Sequence, residues 1–130
     1  MYVAAEAPAW WNTIIVATSD HGDMLGERGM WFKMSFFEGS SRVPLMIAAA
    51  GVPAGMIETP VSSIDLTPTL AALAGISIEE VAPWTEGVNL IPVANGAPRP
   101  PVAMEYAAEG TITPMVSLRD GAWKYIRCPA

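Results

Sequence analysis

The sequence predicts an α/β fold: strands with helices, followed by an antiparallel hairpin. Three observations point to it. Residues 13–18 (Thr-Ile-Ile-Val-Ala-Thr) and 43–48 (Val-Pro-Leu-Met-Ile-Ala) are apolar runs of strand length. Leu66, Leu70 and Leu73 recur at helical spacing. Asp120-Gly121 stands between two alternating runs, which is a strong hairpin signal.

In chain order, residues 1–11 are Ala-rich, and Pro8 would stop a helix over 3–7 early, so they read as a lead-in. Trp10 and Trp11 are expected to cover the sheet edge. Residues 13–18 contain no Pro or Gly and read as a buried strand. Ser19, Asp20, His21 and Gly22 follow at its carboxyl end, where ligands gather in open α/β sheets. His21 is the one histidine in the chain. A carboxylate beside an imidazole on a tight Gly turn can direct two donors into one cleft, as a metal or an anion requires. The same tripeptide also fits an Asx-type turn with His21 bonded to the backbone.

Residues 22–41 read as a long glycine-containing loop, and such loops inside compact domains are usually functional. Glu27-Arg28 is expected to form a local ion pair, and Asp23 to be solvated or a second acceptor for His21. Lys33 lies among Trp31, Phe32, Met34, Phe36 and Phe37. An ammonium there needs an anion, or else its stem covers the aromatics while its head reaches water.

The second strand, 43–48, tolerates Pro44 near its start. A turn-rich connection over 51–55 leads to Ser62, Ser63 and Asp65, which suit a helix start. Pro68 falls in the first turn and Gly75 at the exit, so an amphipathic helix of about three turns is expected to dock by its leucines. Asp65 and Thr67 read as capping groups. Residues 76–101 show no sustained period, and Pro-Arg-Pro-Pro at 98–101 marks a boundary between domains 1–97 and 98–130. Residues 102–106 form a further strand. Residues 115–119 and 123–127 make a hairpin with Trp123 and Tyr125 on one face and Lys124 and Ile126 on the other.

At 130 residues the chain is long enough for one domain, and a domain near this size buries roughly two-thirds of its unfolded surface. Hydrophobic residues make up 52% and charged residues 15%, which argues against a disordered tail. Net charge is −6, with seven Lys and Arg scattered along the chain, which argues against a nucleic-acid partner. The longest apolar run, 43–57, is broken by Pro and Gly and falls short of the ~20 residues of a membrane span. Cys128 is the single cysteine, so no internal disulfide is expected. With no signal peptide in evidence, a cytoplasmic location is expected.

The ordered series Asp20-His21-Gly22-Asp23-Met24-Leu25-Gly26-Glu27-Arg28-Gly29, then Lys33, then Phe36-Phe37-Glu38-Gly39 and Arg42-Val43-Pro44-Leu45, resembles the metal-and-sulfate segment of the sulfatases. That family belongs to the alkaline-phosphatase-like superfamily, so the resemblance implies part of that fold's central mixed sheet with helices and the start of its C-terminal antiparallel subdomain. Residues 61–70, 84–90, 105–110 and 123–126 resemble it further.

The resemblance implies hydrolysis of a small-molecule sulfate ester, choline sulfate being the favoured one. Asp20 and His21 would be metal ligands. His21 and Lys33 would be the catalytic and substrate-binding groups, with Lys33 touching a sulfate oxygen. Arg42 would brace the loop against the strand. The implied metal is a divalent ion: Ca²⁺ by family habit, or Mn²⁺, which suits an imidazole better. A quaternary ammonium would call for aromatic faces, which Trp31, Phe32, Phe36 and Phe37 offer, and Glu105, Tyr106 and Glu109 could approach such a cation.

The family's nucleophile is a formylglycine made from a Cys in a Cys-x-Pro/Ala-x-Arg setting, and its hydrated aldehyde attacks sulfur. Cys128, followed by Pro129-Ala130, does not match that motif. The formylglycine and the paired aspartates that open the metal site are therefore expected N-terminal to this chain. The chain is read as the later part of a sulfatase, inactive in isolation, with homo-oligomeric intact relatives. The competing readings are a phosphonate or phosphate monoesterase of the same superfamily, and a non-catalytic binding or oligomerisation segment.

Overall fold

The structure, a computed structural model, describes residues 12–108 and 110–129. The expectations for Trp10, Trp11 and Glu109 lie outside the described residues. The chain divides into two compact units: Met1–Thr18, Leu45–Ile57 and Ser63–Ala97 form the first, and Ser19–Pro44, Glu58–Ser62 and Pro98–Ala130 the second. Its helices and antiparallel strands are those of the α/β class.

In the first unit, β1 (Ile15–Thr18) pairs antiparallel with β4 (Leu45–Ala48), with Ile15 opposite Ala48 and Thr18 opposite Leu45. The expectation that β1 is buried is corrected. Ile15 and Val16 are half-buried, while Ala17 and Thr18 are exposed. β4 alternates, with Leu45 and Ile47 inward and Met46 outward. A two-stranded ribbon offers each strand a single covered face, so an apolar run does not by itself mean burial on both.

α2 (Leu66–Leu73) is entered through a 3-10 turn over Ser63–Asp65 and has eight residues, shorter than the expected three turns. Gly75, at φ +70°, takes the left-handed conformation that ends it. The docking face also differs from the leucine stripe. Pro68, Thr69 and Ala71 are the buried residues, Leu66 and Leu73 are half-buried, and Leu70 is exposed.

Polar groups explain the change of face. The Thr69 hydroxyl donates to the Asp65 carbonyl (2.6 Å) and accepts the Leu90 N–H (2.9 Å). The Asp65 side chain, fully buried, accepts the Val88 N–H at 2.9 Å. Asp65 therefore does not cap its helix but ties down the connector that follows α3 (Ile78–Val81). The connector comes so close that a Cβ on Gly87 would lie 2.1 Å from the Ile64 carbonyl oxygen.

α4 (Leu90–Ala94) begins on Asn89, whose side chain accepts the Ile91 N–H. α3 and α4 fall where no period was expected, because helices of four and five residues are too short to display one. Ala71, Ala82, Leu90 and Val93 form the apolar core here.

In the second unit, the stretch read as a loop is a folded ribbon. β2 (Met24–Leu25) pairs with β3 (Trp31–Phe32) around a 3-10 turn at Glu27–Gly29, and α1 (Glu38–Ser41) follows. The expected Glu27–Arg28 ion pair does not form. The Glu27 carboxylate accepts the Leu25 N–H at 2.6 Å, and the Arg28 guanidinium stacks 4.4 Å from the Phe37 ring centroid.

β5 (Val102–Tyr106), β6 (Met115–Asp120) and β7 (Trp123–Arg127) make an antiparallel sheet in that order. Asp120 pairs with Trp123, so the turn residues are Gly121 and Ala122, one position later than the Asp-Gly signal suggested. β7 alternates as expected, with Lys124 and Ile126 half-buried and Trp123 and Tyr125 exposed. No helix among the described residues is long and apolar enough to cross a membrane.

Candidate functional site

Asp20 and His21 directly follow β1 in sequence, and a local hydrogen-bond pattern shapes them. The Ser19 hydroxyl donates to the His21 carbonyl at 2.7 Å, and the His21 N–H donates to the Asp20 carboxylate at 3.0 Å. That backbone N–H, and then the charge of His21, hold the exposed Asp20 carboxyl below its ordinary pKa. The carboxylate takes the N–H of the next residue while the Gly22 N–H goes to Ser40 O, so no Asx turn forms, though the His21 ring is bonded to the backbone as that reading expected.

The ring of His21 lies with Nδ1 3.0 Å from the Gly22 carbonyl oxygen. A carbonyl only accepts, so Nδ1 carries a proton, and in the neutral form of the ring the lone pair is at Nε2. Nε2 is 3.5 Å from the Asp20 carboxylate and 3.3 Å from the Lys33 Nζ. All the site residues expected from sequence thus meet at one nitrogen. Asp23 is not among the ring's partners. The carboxylate is 85% and the imidazole 36% exposed, so the group opens to solvent and a ligand could enter.

Lys33 is delivered by a bend in the backbone. Phe32 has φ +68°, unusual for a residue with a side chain, and Arg28 has φ +58°. Such positions cost on the order of 1–3 kcal/mol and cluster where function needs them. Of the four aromatics near Lys33, Phe36 is buried in the core and Phe37 is covered by Arg28, while Trp31 (62%) and Phe32 (65%) stay exposed.

The other side of the ribbon rests on a group that sequence reading missed. The Lys124 ammonium, with only 14% of its side chain exposed, pairs with the Glu38 carboxylate. It also donates to the Phe36 carbonyl at 2.8 Å and to the Ser41 hydroxyl at 3.2 Å. Arg119 (3.8 Å) and Arg42 (3.9 Å) flank the same carboxylate. Arg42 therefore acts on the turn just before it.

The hydrogen bond from Lys124, then its charge and those of Arg119 and Arg42, hold the Glu38 carboxyl below its ordinary 4.5. The stabilisation this gives is complete above that value and lost as pH falls through the lower folded-state pKa. A Glu38→Gln chain should therefore melt below the unaltered one at about pH 7, the difference shrinking at about pH 3. Thermal midpoints at both pH values check this.

A divalent ion fits the chemistry of Asp20 and His21. A metal-binding imidazole typically donates its other ring N–H to a backbone carbonyl, as Nδ1 does here to Gly22. A carboxylate oxygen and an imidazole nitrogen are both ordinary donors for such an ion. Among the described residues no cluster of three or more His, Cys, Asp or Glu surrounds them, so these residues supply part of a donor set.

The chain is similar to known proteins in sequence and in fold. The profile of the family described as sulfatase matches residues 4–76. The chain is 63% identical over 118 residues to a choline-sulfatase of Rhizobium meliloti, covering 90% of this chain and 23% of that protein. It is 40% identical over 126 residues to arylsulfatase K of Danio rerio, again covering 23% of that protein.

Among solved structures, a phosphonate monoester hydrolase from Silicibacter pomeroyi superposes with a TM-score of 0.72 at 30% identity, covering 88% of this chain and 26% of the other. BT4656, solved with its substrate D-glucosamine-2-N,6-O-disulfate, superposes with a TM-score of 0.68 at 29% identity, covering 87% of this chain and 24% of the other. The chain spans about a quarter of the length of the relatives it matches.

Proposed function

The chain belongs to the sulfatase family, and from that premise we propose that it supplies the oxyanion-facing part of the active site of a sulfuric ester hydrolase acting on choline sulfate. The observation that carries the proposal is the meeting of Asp20, Lys33 and His21 Nε2 within 3.5 Å.

Asp20 and His21 would hold the divalent ion, Ca²⁺ or Mn²⁺. When bound, it supplies Lewis-acid charge for a sulfate oxygen. Gly22 holds the imidazole in the tautomer that leaves Nε2 available. Nε2 has one lone pair, so with an ion held there the Lys33 ammonium would donate elsewhere. Lys33 would pair with a non-bridging sulfate oxygen and neutralise charge on it as the ester S–O bond breaks. Cys128 is exposed and is not among the groups that meet at His21 Nε2.

The choline part of the reading is supported by the 63% identity and by the two rings left exposed beside Lys33. Trp31 and Phe32 offer faces that a quaternary ammonium prefers. The structural likeness to a phosphonate monoester hydrolase favours the second reading, a phosphonate monoesterase on the same scaffold.

One experiment separates them. This chain replaces the matching segment of the Rhizobium meliloti protein, and the chimera is given choline sulfate, other sulfate esters and phosphonate monoesters. Highest kcat/KM on choline sulfate is the expected result. Preference for phosphonates would favour the second reading, and turnover of neither class would defeat both.

A further inference from the structure

We propose that Ser40 is a positioning residue that sets the spacing between His21 and Lys33. The proposal rests on the reading of that pair as sulfate-facing, and its geometry stands independently. Ser40 is 3% exposed, at the third position of α1, and each of its polar groups is engaged. Its hydroxyl lies between two carbonyls, Lys33 O and, at 2.9 Å, Ser35 O, and has one proton to share between them. Its own carbonyl accepts the Gly22 N–H at 2.8 Å, and its N–H donates to Phe37 O at 3.0 Å.

One residue is therefore bonded to the backbone of Lys33 and to the residue whose carbonyl orients the His21 ring. The approach on the His21 side is tight. A Cβ on Gly22 would lie 2.2 Å from the Gly39 carbonyl oxygen, so that strand of chain is held backbone to backbone.

Lys33 has an exposed side chain whose ammonium reaches the His21 ring at 3.3 Å. Where its flexible stem starts is set by its backbone, which Phe32 bends and the Ser40 hydroxyl holds. Removing the hydroxyl takes this donor from the Ser35 carbonyl and leaves the Lys33 carbonyl with the Ser35 N–H alone, at 2.7 Å, so the turn is held less firmly on the Lys33 side. The turn is anchored from its far side by Lys124, so what Ser40 transmits is a fixed reference rather than a floating loop.

The test uses the full 130-residue chain, isotope-labelled, with three variants. Ser40→Ala removes the hydroxyl. Ser40→Cys keeps nearly the same volume with a weak donor and retains the fold if alanine does not. Ser40→Thr keeps the hydroxyl. The readouts are nuclear Overhauser contacts between the His21 ring and the Lys33 ε-methylene, and exchange of the Gly22 amide. A third readout is the affinity for inorganic sulfate with Mn²⁺, measured well below the melting midpoint.

Ser40→Ala and Ser40→Cys should lose the ring-to-methylene contact, speed Gly22 exchange about tenfold and weaken sulfate binding about tenfold, while Ser40→Thr restores all three. A serine that only stabilised the fold would lower the midpoint and leave the sulfate affinity unchanged. Contacts that persist in both the alanine and cysteine variants would overturn the proposal, as would a threonine variant no better than alanine. An unaltered chain that shows the serine-dependent contact yet binds no sulfate would remove the functional reading of the pair and leave the positioning intact.

Discussion

Replacing Lys33 by alanine should lower kcat in the chimera by about two to three orders of magnitude on choline sulfate, with KM changed only severalfold. The asymmetry follows from when the charge appears. Sulfate monoesters carry their negative charge in the ground state, but more of it moves onto the departing oxygen and its neighbours as the S–O bond lengthens. A preorganised ammonium is worth most at that point, so its loss shows in kcat rather than in binding. Lys33→Arg should not rescue it, because a planar fork cannot replace a compact ammonium 3.3 Å from an imidazole nitrogen. Steady-state kinetics of the alanine and arginine chimeras check this. An unchanged kcat for Lys33→Ala would remove the charge-neutralising role.

The second large effect is expected at His21. His21→Ala should weaken Mn²⁺ binding by at least about 100-fold, since even the partners of metal ligands typically contribute 10–100-fold. Calorimetric titration of the 130-residue chain with Mn²⁺ measures it. Asp20→Asn should weaken binding too, while keeping an oxygen donor. Undiminished Mn²⁺ affinity in His21→Ala would place the ion on other groups and leave the ring as the acceptor for Lys33 alone.

How much of this could be read from sequence depended on how local each interaction is. The acid–imidazole pair follows a strand and closes on itself through Ser19 and Gly22, so adjacent letters described it well. Lys33 could be singled out as a cation among aromatics, but its direction could not, because that depends on the left-handed backbone at Phe32 and on Ser40 seven residues later. Ser40 carries no sequence signal of its own, being a serine in a glycine- and serine-rich stretch.

Long-range polar bonds were the least legible. Asp65 stands where a helix cap belongs, and the local rule assigned it that duty, yet its carboxylate goes to the Val88 N–H 23 positions away. Lys124 looked like one residue of an alternating strand. Nothing in its neighbours points to Glu38, 86 positions earlier, or to the turn the two secure. The Glu27–Arg28 pair erred the opposite way. Adjacent opposite charges suggested an ion pair, but a backbone N–H and an aromatic face were better placed to take the two groups.

The account stands on Asp20, His21 and Lys33 converging on one bound oxyanion. A crystal structure of the chain grown with Mn²⁺ and inorganic sulfate, with anomalous scattering to locate the metal, tests it most directly. The expected result is manganese bonded to an Asp20 carboxylate oxygen and to His21 Nε2, with the Lys33 ammonium moved from the ring onto a sulfate oxygen. Manganese bound elsewhere, or Lys33 pointing away from a sulfate held at Asp20 and His21, would contradict it.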